Sequence, residues 1–575
     1  MCGIAGIISA KHNIGNLQEM LKLQQHRGPD HTGEYVDPGY CALGHNRLSI
    51  IDLSAKANQP FTDNSGRYHL TFNGEIYNYI ELKQKLKAYY NFKTESDTEV
   101  LLAAFIVWGK SCLNQLNGMF AFAIWDNYEK KLFAARDRFG VKPFFYSIED
   151  KEFYFSSEIK AIKSLLKSNS PHEQVWANYF AYGSYGMPGE TFHQNIQQLP
   201  GGHFLEYHGE NLKLNKWYNF EDSLESYSHI LSFEEAKKSY LEILNDSISL
   251  RFRADVPIGF NISGGVDSSL LLALVNRHHN NKNIQAYTFY TGNENYDELA
   301  WVEKMIETTQ NPLKKVKIQP TDVIENAQFL SNIQNEPYAG LPTLAYATLF
   351  EAAKKDGIKV LLDGQGMDEQ WAGYDYYQKS GSSTTIQGTG KVNPFRANVL
   401  KKDFRQLAEK PVYPTPFNNE LQNLQYRDLF YTKIPRALRF NDRISMAYST
   451  ELREPFLDYR MVEFAFSQPK EYKIANGFQK FLIREILKEI APKDLSYAPK
   501  RPLQTPQREW LGNELKDFTE ENLEKIRYSK ASHWFNFEEI QKEWRNYQNG
   551  DNQSSFHIWQ WINTGLLMGE VVDRL

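Results

Sequence analysis

The sequence predicts two structural units: an α+β layered unit at the N-terminus, and an α/β unit with a parallel sheet and a helical C-terminal part. The first prediction comes from residues 1–207, which are dense in strand-like runs closed by turn residues. The second comes from the chain after Phe233, where strand and helix patterns alternate as they do in βαβ units. A length of 575 residues also fits two or three domains of about 100–200 residues each.

The elements of the N-terminal unit follow from local patterns. Strands are predicted where alternating or apolar runs end in turn residues, at 68–72, 119–125, 131–135 and 203–207. Helical spacing of apolar residues predicts helices at 79–86 and 98–108, the second after the start signal Ser96-Asp97. We therefore expect a layered sandwich over 1–208, followed by a polar linker at 209–232.

The C-terminal unit, expected over 233–575, begins with a helix at 233–251. Its predicted strands are 256–262, 284–290, 316–318 and 358–362, and its predicted helices include 268–275 and 344–354. From about Pro411 the pattern is mostly helical. The polar stretch KSGSSTTIQGTG at 379–390 is predicted to be a surface loop.

Composition excludes several classes of protein. The chain has 65 Lys and Arg against 70 Asp and Glu, a formal charge of −5, so no overall basic field would hold nucleic acid or an anionic membrane. Three cysteines are too few for a disulfide scaffold, and an odd number suits a reducing compartment. No apolar run reaches about 18 residues, and the N-terminus lacks the basic region of a signal peptide. We therefore expect a soluble, cytoplasmic protein that binds neither nucleic acid nor membrane.

The cysteine at position 2 is the first candidate catalytic residue. Removal of Met1 would make Cys2 the N-terminus, where one residue carries both a nucleophile and a base. Only about 3% of an unperturbed thiol is ionised at neutral pH, so the thiol needs activation, which the α-amine can supply. The alternative is a small apolar residue that begins a strand. Cys41 and Cys112 are predicted to be packing residues.

A glycine-rich turn, SGGVDSS at 263–269, lies between a predicted strand and a predicted helix. Glycines let the backbone approach a phosphate closely, and the N–H groups at a helix N-terminus favour negative charge. The turn lacks the Gly-Lys-Ser/Thr ending of a Walker loop and matches the PP-loop of enzymes that cleave ATP between its α- and β-phosphates. The residues predicted to bind ATP or pyrophosphate here are Ser263, Gly264, Gly265, Asp267, Ser268 and Ser269. The alternative is a plain strand-to-helix turn.

A second turn, DGQGMDE at 363–369, follows the predicted strand at 358–362. Strand ends at one edge of a parallel sheet converge on a ligand crevice, so both turns are expected to face one nucleotide, with Asp363 and Gly364 among its binding residues. We expect Asp267 and Asp368 to share the Mg²⁺ ions that neutralise the phosphates. The alternative for Asp368 is an ordinary acidic turn residue.

Six segments relate the N-terminal unit to a known family: MCGIAGI, HRGPD, LGHNRLSIIDL, FNGEIYNY, ESDTEV and RDRFGVKPFFY. Together they closely resemble the glutaminase domain of glutamine-dependent amidotransferases, over nearly all of the first 200 residues. The resemblance implies the αββα sandwich of an N-terminal-nucleophile hydrolase, with Cys2 attacking the side-chain amide of glutamine. It also implies that Asn73 and the N–H of Gly74 form an oxyanion hole. By the same match, Arg47 binds the glutamine α-carboxylate, and Glu75 and Asp97 lie near its α-amine.

Four further segments, SGGVDSS, DGQGMDEQWAGY, MAYSTELREPFLD and GFQKFLIRE, resemble the synthetase domain of glutamine-hydrolysing asparagine synthetase. The joint resemblance spans essentially the whole chain. It implies that Lys480 stabilises charge on the acyl-adenylate and pyrophosphate, with ATP as a substrate and Mg²⁺ as its cofactor. Two departures lie in this half. Family members commonly carry glutamate, a carboxylate proposed to assist amine attack, where this chain has Gln365, and the segment 499–510 lacks the Gly-Phe pair expected there.

The combined pattern predicts an ATP-dependent carbon–nitrogen ligase that takes its nitrogen from glutamine. The predicted acceptor is L-aspartate, with asparagine, glutamate, AMP and pyrophosphate as products. One alternative keeps this chemistry but uses another carboxylate, for instance a sugar uronate. Another is a catalytically silent paralogue that senses glutamine or nucleotide. The expected partners are small molecules, and the sequence is compatible with a homodimer.

Overall fold

The computed structural model describes residues 1–11, 14–227, 229–279, 283–379, 393–498 and 505–569. Their strands form two six-stranded antiparallel sheets in the N-terminal half. A five-stranded parallel sheet and a two-stranded antiparallel sheet lie in the C-terminal half. Almost all of the loop predicted at 379–390 and the start of the segment 499–510 lie outside the described residues.

The two antiparallel sheets contain the strands predicted for the N-terminal half, together with others. In spatial order, the first sheet consists of Gln197–Gln198, Phe145–Glu149, Glu152–Ser156, Gly3–Ile8, Cys41–Arg47 and His31–Asp37. The second consists of Asn211–Lys216, His203–His208, Lys131–Arg136, Gly118–Asp126, Tyr68–Ile76 and Phe61–Thr62. The α-helices described in this half are Ile14–Leu23, Tyr79–Leu86, Asp97–Trp108, Ile159–Lys163, Glu173–Tyr182 and Phe220–Ser223.

These sheets face one another through an apolar core. Ile4 and Leu43 of the first sheet pack there with Ala121 and Trp125 of the second. The outer face of the first sheet is covered by the helices Ile14–Leu23 and Ile159–Lys163, and that of the second by Tyr79–Leu86 and Asp97–Trp108. The layers therefore run helix, sheet, sheet, helix, which agrees with the predicted layered sandwich.

The linker predicted at 209–232 is wrong in its first part. Asn211–Lys216 is a strand that pairs antiparallel with His203–His208 at the edge of the second sheet. The short helix Phe220–Ser223 follows it, and Phe220 is buried between the two halves. An edge strand with one solvated side has a polar sequence, which concealed it among turn-like residues.

The parallel sheet has the spatial order Leu313–Lys317, Ala286–Tyr290, Ile258–Asn261, Val360–Leu362 and Glu451–Arg453. Its first four strands lie where strands were predicted. The fifth was missed, because it is only three residues long, contains a glutamate and an arginine, and lies in a region with a helical pattern. It pairs in parallel with Val360–Leu362 and forms one edge of the sheet.

Helices surround this sheet and make up most of the C-terminal half. The described α-helices are Phe233–Arg251, Val266–His279, Leu299–Thr309, Pro320–Gln334, Leu341–Lys355, Met367–Gln370, Lys402–Arg405, Glu420–Phe430, Lys433–Ala447, Tyr459–Ser467, Lys470–Lys473, Phe481–Ile490, Lys493–Ser496, Gln507–Gly512, Lys516–Arg527, Phe537–Gln548 and Phe556–Met568. The two-stranded sheet pairs Ile474–Ala475 with Phe478–Gln479. Across the described ranges, no helix is both long enough and apolar enough to cross a membrane.

The two halves meet at a buried apolar cluster that includes the first residue of the chain. Met1, Met119 and Val141 of the N-terminal half pack there with Leu438 and Leu457 of the C-terminal half. We call this set the interface cluster. We call the turn at 363–369 the acidic turn. The interface cluster lies between the two predicted sites, since Met1 precedes Cys2 and Leu457 packs against Gly366 of the acidic turn.

Candidate active sites

Cys2 lies just before the strand Gly3–Ile8 and is buried. Its backbone N–H donates to Asn73 Oδ1 at 3.0 Å, and its carbonyl oxygen accepts from Arg27 Nε at 3.0 Å. Burial raises the pKa of the Cys2 thiol above its ordinary value. The thiol is therefore protonated at neutral pH, and a neighbouring base must remove its proton before it can act as a nucleophile. Cys41 and Cys112 are buried in apolar clusters, as expected for packing residues.

Asn73 and Gly74 lie together beside Cys2, on the central strand Tyr68–Ile76. The Asn73 side chain turns its oxygen to the Cys2 N–H, while its nitrogen makes only a long contact of 3.5 Å with Ser157 Oγ. A Cβ at Gly74 would lie 2.1 Å from the carbonyl oxygen of Met119 on the paired strand, so only glycine fits. The site thus keeps neutral amide groups next to the thiol, the chemistry that an oxyanion hole requires.

Arg47 is buried at the end of the strand Cys41–Arg47 and faces the loop that follows it. Its Nη1 donates to the Ser54 carbonyl and to Asn58 Oδ1, both at 2.8 Å, and its Nη2 donates to the carbonyl of Asp52. The guanidinium therefore orders this loop, and a bound carboxylate would have to share its donors with the loop carbonyls.

The N-terminal ammonium group pairs with Glu451, and Glu75 and Asp97 lie close enough to Glu451 to feel its charge. Met1 N lies 3.0 Å from Glu451 Oε2, and both groups are fully buried. Burial, together with the charges of Glu451 and Asp97, raises the pKa of Glu75 well above its usual range. Burial likewise raises the pKa of Asp97 to about 6. A buried ammonium next to Cys2 is thus compensated by a buried carboxylate.

Glu451 and Arg453 belong to this pocket although they come from the C-terminal half. Arg453 Nε donates to Glu451 Oε1 at 2.6 Å, and an Nη of Arg453 lies 3.7 Å from Glu75. Sequence reasoning missed both residues for this site. Their segment, MAYSTELREPFLD, was associated only with the synthetase half, and no local pattern shows that it reaches the N-terminus of the chain.

Arg27 connects the nucleophile to the C-terminal half as well. In addition to its bond with the Cys2 carbonyl, its guanidinium lies 2.9 Å from Asp442 and 3.4 Å from Glu158. All three side chains are buried. A buried, doubly paired arginine has a fixed position, so Arg27 holds the Cys2 segment against both halves of the protein.

In the C-terminal half, the predicted glycine turn connects the strand Ile258–Asn261 to the helix Val266–His279. Gly264 has φ +74°, and a Cβ there would lie 2.8 Å from Trp301, so this position requires glycine. The Ser268 hydroxyl accepts from the Ser263 N–H at 3.2 Å and donates to the Gly265 carbonyl at 3.3 Å, which closes the turn. The turn and the helix N-terminus present backbone N–H groups in the arrangement that binds phosphate.

The second predicted turn touches the first. A Cβ at Gly364 would lie 3.3 Å from both Asp267 Cβ and the Ser268 nitrogen. Asp363 is held by the next residue and by a neighbouring helix, because it accepts from the Gly364 N–H at 2.6 Å and from the hydroxyl of Tyr346 in the helix Leu341–Lys355. The two turns therefore form one crevice at the carboxyl ends of adjacent parallel strands, as predicted.

Lys480 lies in this crevice and joins the two turns. Its Nζ donates to both carboxylate oxygens of Asp267, at 2.8 and 2.6 Å, and lies 2.6 Å from Asp368 Oδ1. Burial lowers the pKa of Lys480, but the two carboxylates more than offset this, and the net pKa is raised. Lys480 is therefore a fixed positive charge beside the glycine turn.

The same two carboxylates fit a divalent cation. Asp267 and Asp368 come from different turns, yet both lie within 2.6 Å of one ammonium nitrogen. Two oxygen donors that converge in this way, completed by phosphate oxygens of a nucleotide, are the ligand set that Mg²⁺ prefers in proteins. The described residues contain no group of three or more His, Cys, Asp or Glu that could hold a metal without such a substrate.

Comparison with known proteins gives matches along nearly the whole chain. The model of a glutamine amidotransferase domain matches residues 1–218, and the asparagine synthase model matches residues 239–572. The chain is 29% identical to asparagine synthetase [glutamine-hydrolyzing] 3 of Bacillus subtilis, over 87% of this chain and 86% of that protein. It is 28% identical to asparagine synthetase [glutamine-hydrolyzing] 1 of the same organism, over 90% and 89%. It is 34% identical to putative asparagine synthetase [glutamine-hydrolyzing] 2 of Methanocaldococcus jannaschii, over 65% and 76%.

Proposed function

Because the chain belongs to the asparagine synthase family and carries a glutamine amidotransferase domain, we propose that it is a glutamine-dependent asparagine synthetase. The observation that carries this proposal is the presence on one chain of a buried N-terminal cysteine site and a Lys480–Asp267–Asp368 nucleotide crevice. The buried interface cluster lies between them. The first site would release ammonia from glutamine, and the second would use it with ATP and L-aspartate.

In the first reaction, Cys2 Sγ attacks the side-chain carbonyl carbon of glutamine after removal of Met1. The new α-amine of Cys2 takes the thiol proton and passes it to the leaving nitrogen, and ammonia departs as the C–N bond breaks and the γ-glutamyl thioester forms. The Asn73 side-chain amide and the Gly74 N–H would donate to the developing oxyanion. Water then hydrolyses the thioester to glutamate and frees the thiol.

The glutamine backbone groups would bind beside the nucleophile. Arg47 would pair with the α-carboxylate, and Glu75 and Asp97 would pair with the α-amine. The support for the amine site is the Met1 ammonium, which pairs with Glu451 and interacts electrostatically with Glu75 in the unprocessed chain. The pocket that Met1 fills would thus become available to glutamine when the methionine is removed.

Glutamine use should weaken in acid because of Asp97. Burial raises the pKa of Asp97 to about 6, and a carboxyl pairs with an ammonium only when it is ionised. We expect kcat/KM for glutamine to fall by up to about tenfold per pH unit below ~6 and to level off above it. ATP–pyrophosphate exchange with L-aspartate, measured over the same pH range, is the control, because it uses the other half and needs no ammonia. A glutamine profile that only follows the exchange profile would contradict the assignment.

In the second reaction, a carboxylate oxygen of the acceptor attacks the α-phosphorus of ATP, and pyrophosphate leaves as an acyl-adenylate forms. Ser263, Gly264, Gly265, Ser268 and Ser269 would bind the phosphates, with Asp363 and Gly364 on the facing turn. Lys480 would stabilise the negative charge on the adenylate and the leaving pyrophosphate.

Mg²⁺ would lie between Asp267 and Asp368, where it would neutralise the phosphate charges of ATP. The support is the convergence of both carboxylates on the Lys480 ammonium. We infer a glutaminase domain that extends the predicted range 1–208 by the strand Asn211–Lys216, and a synthetase domain over 233–575. The N-terminal sandwich would then be that of an N-terminal-nucleophile hydrolase.

The acceptor is tested by ATP–pyrophosphate exchange in the absence of ammonia. We expect exchange with L-aspartate, and asparagine and AMP in equal amounts when glutamine is added. Exchange with a sugar uronate or another acid, and none with aspartate, would overturn the aspartate assignment. The absence of exchange with every acid tested would favour the catalytically silent paralogue.

A further inference from the structure

The amide-forming step needs a proton acceptor that Gln365 does not provide. Ammonia brings three N–H bonds to the acyl carbon and the amide product keeps two, so one proton must leave. Gln365 lies in the acidic turn that follows the strand Val360–Leu362. Its amide side chain does not accept a proton at neutral pH. A base should therefore be sought elsewhere at this edge of the sheet.

The neighbouring strand ends in a carboxylate. Glu454 directly follows the strand Glu451–Arg453, which is paired in parallel with Val360–Leu362 so that Arg453 lies opposite Leu362. The Asp363 N–H donates to the Arg453 carbonyl at 3.0 Å and extends this pairing into the turn. Because both strands end at the same edge, Glu454 and the turn that carries Gln365 begin side by side.

The Glu454 side chain is buried, at 5% exposure, and its Oε2 has no hydrogen-bond partner among the described residues. Most other carboxylates at this edge are bound: Asp363 by Tyr346, and Asp267 and Asp368 by Lys480. Glu369 also has an Oε2 without a partner in the described part of the chain, but its Oε1 accepts from the Tyr374 hydroxyl and it does not line the cavity that Glu454 lines. A buried carboxylate oxygen without a partner requires an explanation, and one explanation is a role in chemistry.

The surroundings of Glu454 suit a base near neutral pH. Burial raises its pKa to about 8, with the charges of Asp363 and Asp442 acting in the same direction and those of Lys142 and Arg251 opposing them. A pKa close to the working pH gives both a useful fraction of carboxylate and adequate affinity for a proton.

Glu454 also lines a small cavity between the two halves of the protein. The cavity has a volume of about 10 Å³, room for about one water-sized molecule, and its lining includes Tyr77, Met119, Val141, Arg251 and Leu457. Met119, Val141 and Leu457 also belong to the interface cluster, together with Met1. Ammonia is similar in size to water, so the cavity could hold one ammonia molecule. Its lining includes residues of the interface cluster, which lies between Cys2 and the crevice of Lys480.

The far side of this cavity reaches the acidic turn. A Cβ at Gly366, the residue after Gln365, would lie 2.6 Å from Leu457 Cδ2. Leu457 thus separates the cavity from the turn by the thickness of one side chain. Glu454 is the carboxylate that lines the cavity on the synthetase side, among the described residues that surround it.

We propose that Glu454 is a catalytic residue that accepts the proton from ammonia as it attacks the acyl-adenylate. This inference rests on the proposed function. The nitrogen lone pair forms a bond to the acyl carbon, the bond from that carbon to the phosphate oxygen breaks, and AMP leaves with its electron pair. The proton lost by the nitrogen moves to a Glu454 oxygen and passes on to solvent during product release.

Glu454→Gln removes the base with little change in shape, and Gln365→Glu offers a way to restore it nearby. With the full-length enzyme and added ammonium, we expect Glu454→Gln to lower asparagine formation by about 100-fold, the lower range for a general base. ATP–pyrophosphate exchange with aspartate and glutaminase activity should stay within about twofold of wild type. The double variant Gln365→Glu/Glu454→Gln should recover at least about tenfold of the lost rate.

Glu463→Gln is the matched control, because Glu463 is another buried carboxyl of this half but is bonded to the Tyr218 hydroxyl at 2.8 Å. It should form asparagine at the wild-type rate. The proposal would be overturned if Glu454→Gln formed asparagine at the wild-type rate, or if it lost exchange and synthesis equally. It would also be overturned if the double variant formed asparagine no faster than Glu454→Gln. Absence of exchange with aspartate in the wild-type enzyme would instead refute the proposed function.

Discussion

Replacing Cys2 with alanine should abolish the use of glutamine and leave synthesis from ammonium intact. The variant loses the only atom of the site that can form the thioester, so glutaminase activity should fall by more than about 10³-fold. Cys2 is small and lies at the start of the chain, so the side-chain change should not disturb the nucleotide crevice. The measurement is glutamate release from glutamine alongside asparagine formation from ammonium chloride.

Cys41→Ala is the matched control for this substitution. Cys41 is also a buried thiol, but it packs in the core between the two sheets. It should lose stability and keep its glutamine-to-ammonium activity ratio. Loss of both activities in Cys2→Ala, with an unchanged melting temperature, would contradict the division of the chain into an ammonia-producing and an ammonia-using half.

Replacing Lys480 with methionine should impair the use of ATP and leave glutaminase activity intact, the opposite of the result expected for Cys2→Ala. The substitution keeps the length of the side chain but removes the charge that joins Asp267 and Asp368. We expect ATP–pyrophosphate exchange to fall by about 10²–10³-fold, the usual effect of removing one group that stabilises transition-state charge. Glutaminase activity, whose nucleophile and proposed oxyanion hole lie in the other half, should persist.

Lys473→Met provides the control for removing a buried lysine. Lys473 donates to Gln425 Oε1 and to the Phe466 carbonyl, both at 3.0 Å, and pairs with neither aspartate. This variant should be destabilised without a specific loss of exchange relative to glutaminase activity. If Lys480→Met kept full exchange, the charge at the crevice would have no role in adenylation.

The sequence was most informative where strong local patterns coincide with a site. The strands at 68–72 and 119–125 were predicted from apolar runs before turn residues, and both are present. The turn predicted at Asn73-Gly74 was wrong, because the strand continues through these residues to Ile76 and places Asn73 beside Cys2. The two nucleotide turns were predicted from glycines after apolar strands. Their contact at Gly364 followed from the rule that parallel strands end at the same edge.

Long-range contacts could not be predicted in the same way. Arg27 and Asp442 are 415 residues apart in the chain, and the pairing of Met1 with Glu451 also crosses between the two halves. The strand Glu451–Arg453 is too short and too charged to be recognised, although it supplies Glu451 to one site and ends next to Glu454 at the other. These features depend on how the two halves pack, which no local periodicity records.

Arg47 shows a further limit of reading residues one at a time. Its match to the family predicted a partner for the glutamine α-carboxylate, and that role stays a prediction. In the structure its guanidinium also donates to Ser54 and Asn58 of the following loop. Substitution of Arg47 would therefore alter both the loop and the binding of substrate.

Transfer of the glutamine amide nitrogen inside the protein is the central claim, and isotope tracing tests it most directly. The wild-type enzyme is incubated with ATP, aspartate, amide-¹⁵N-labelled glutamine and an excess of unlabelled ammonium. We predict that most of the asparagine carries ¹⁵N, and that glutamate and asparagine form in nearly equal amounts, because ammonia passes from Cys2 to the nucleotide crevice without mixing with solvent. Asparagine labelled only in proportion to the bulk ammonium pool would contradict the account.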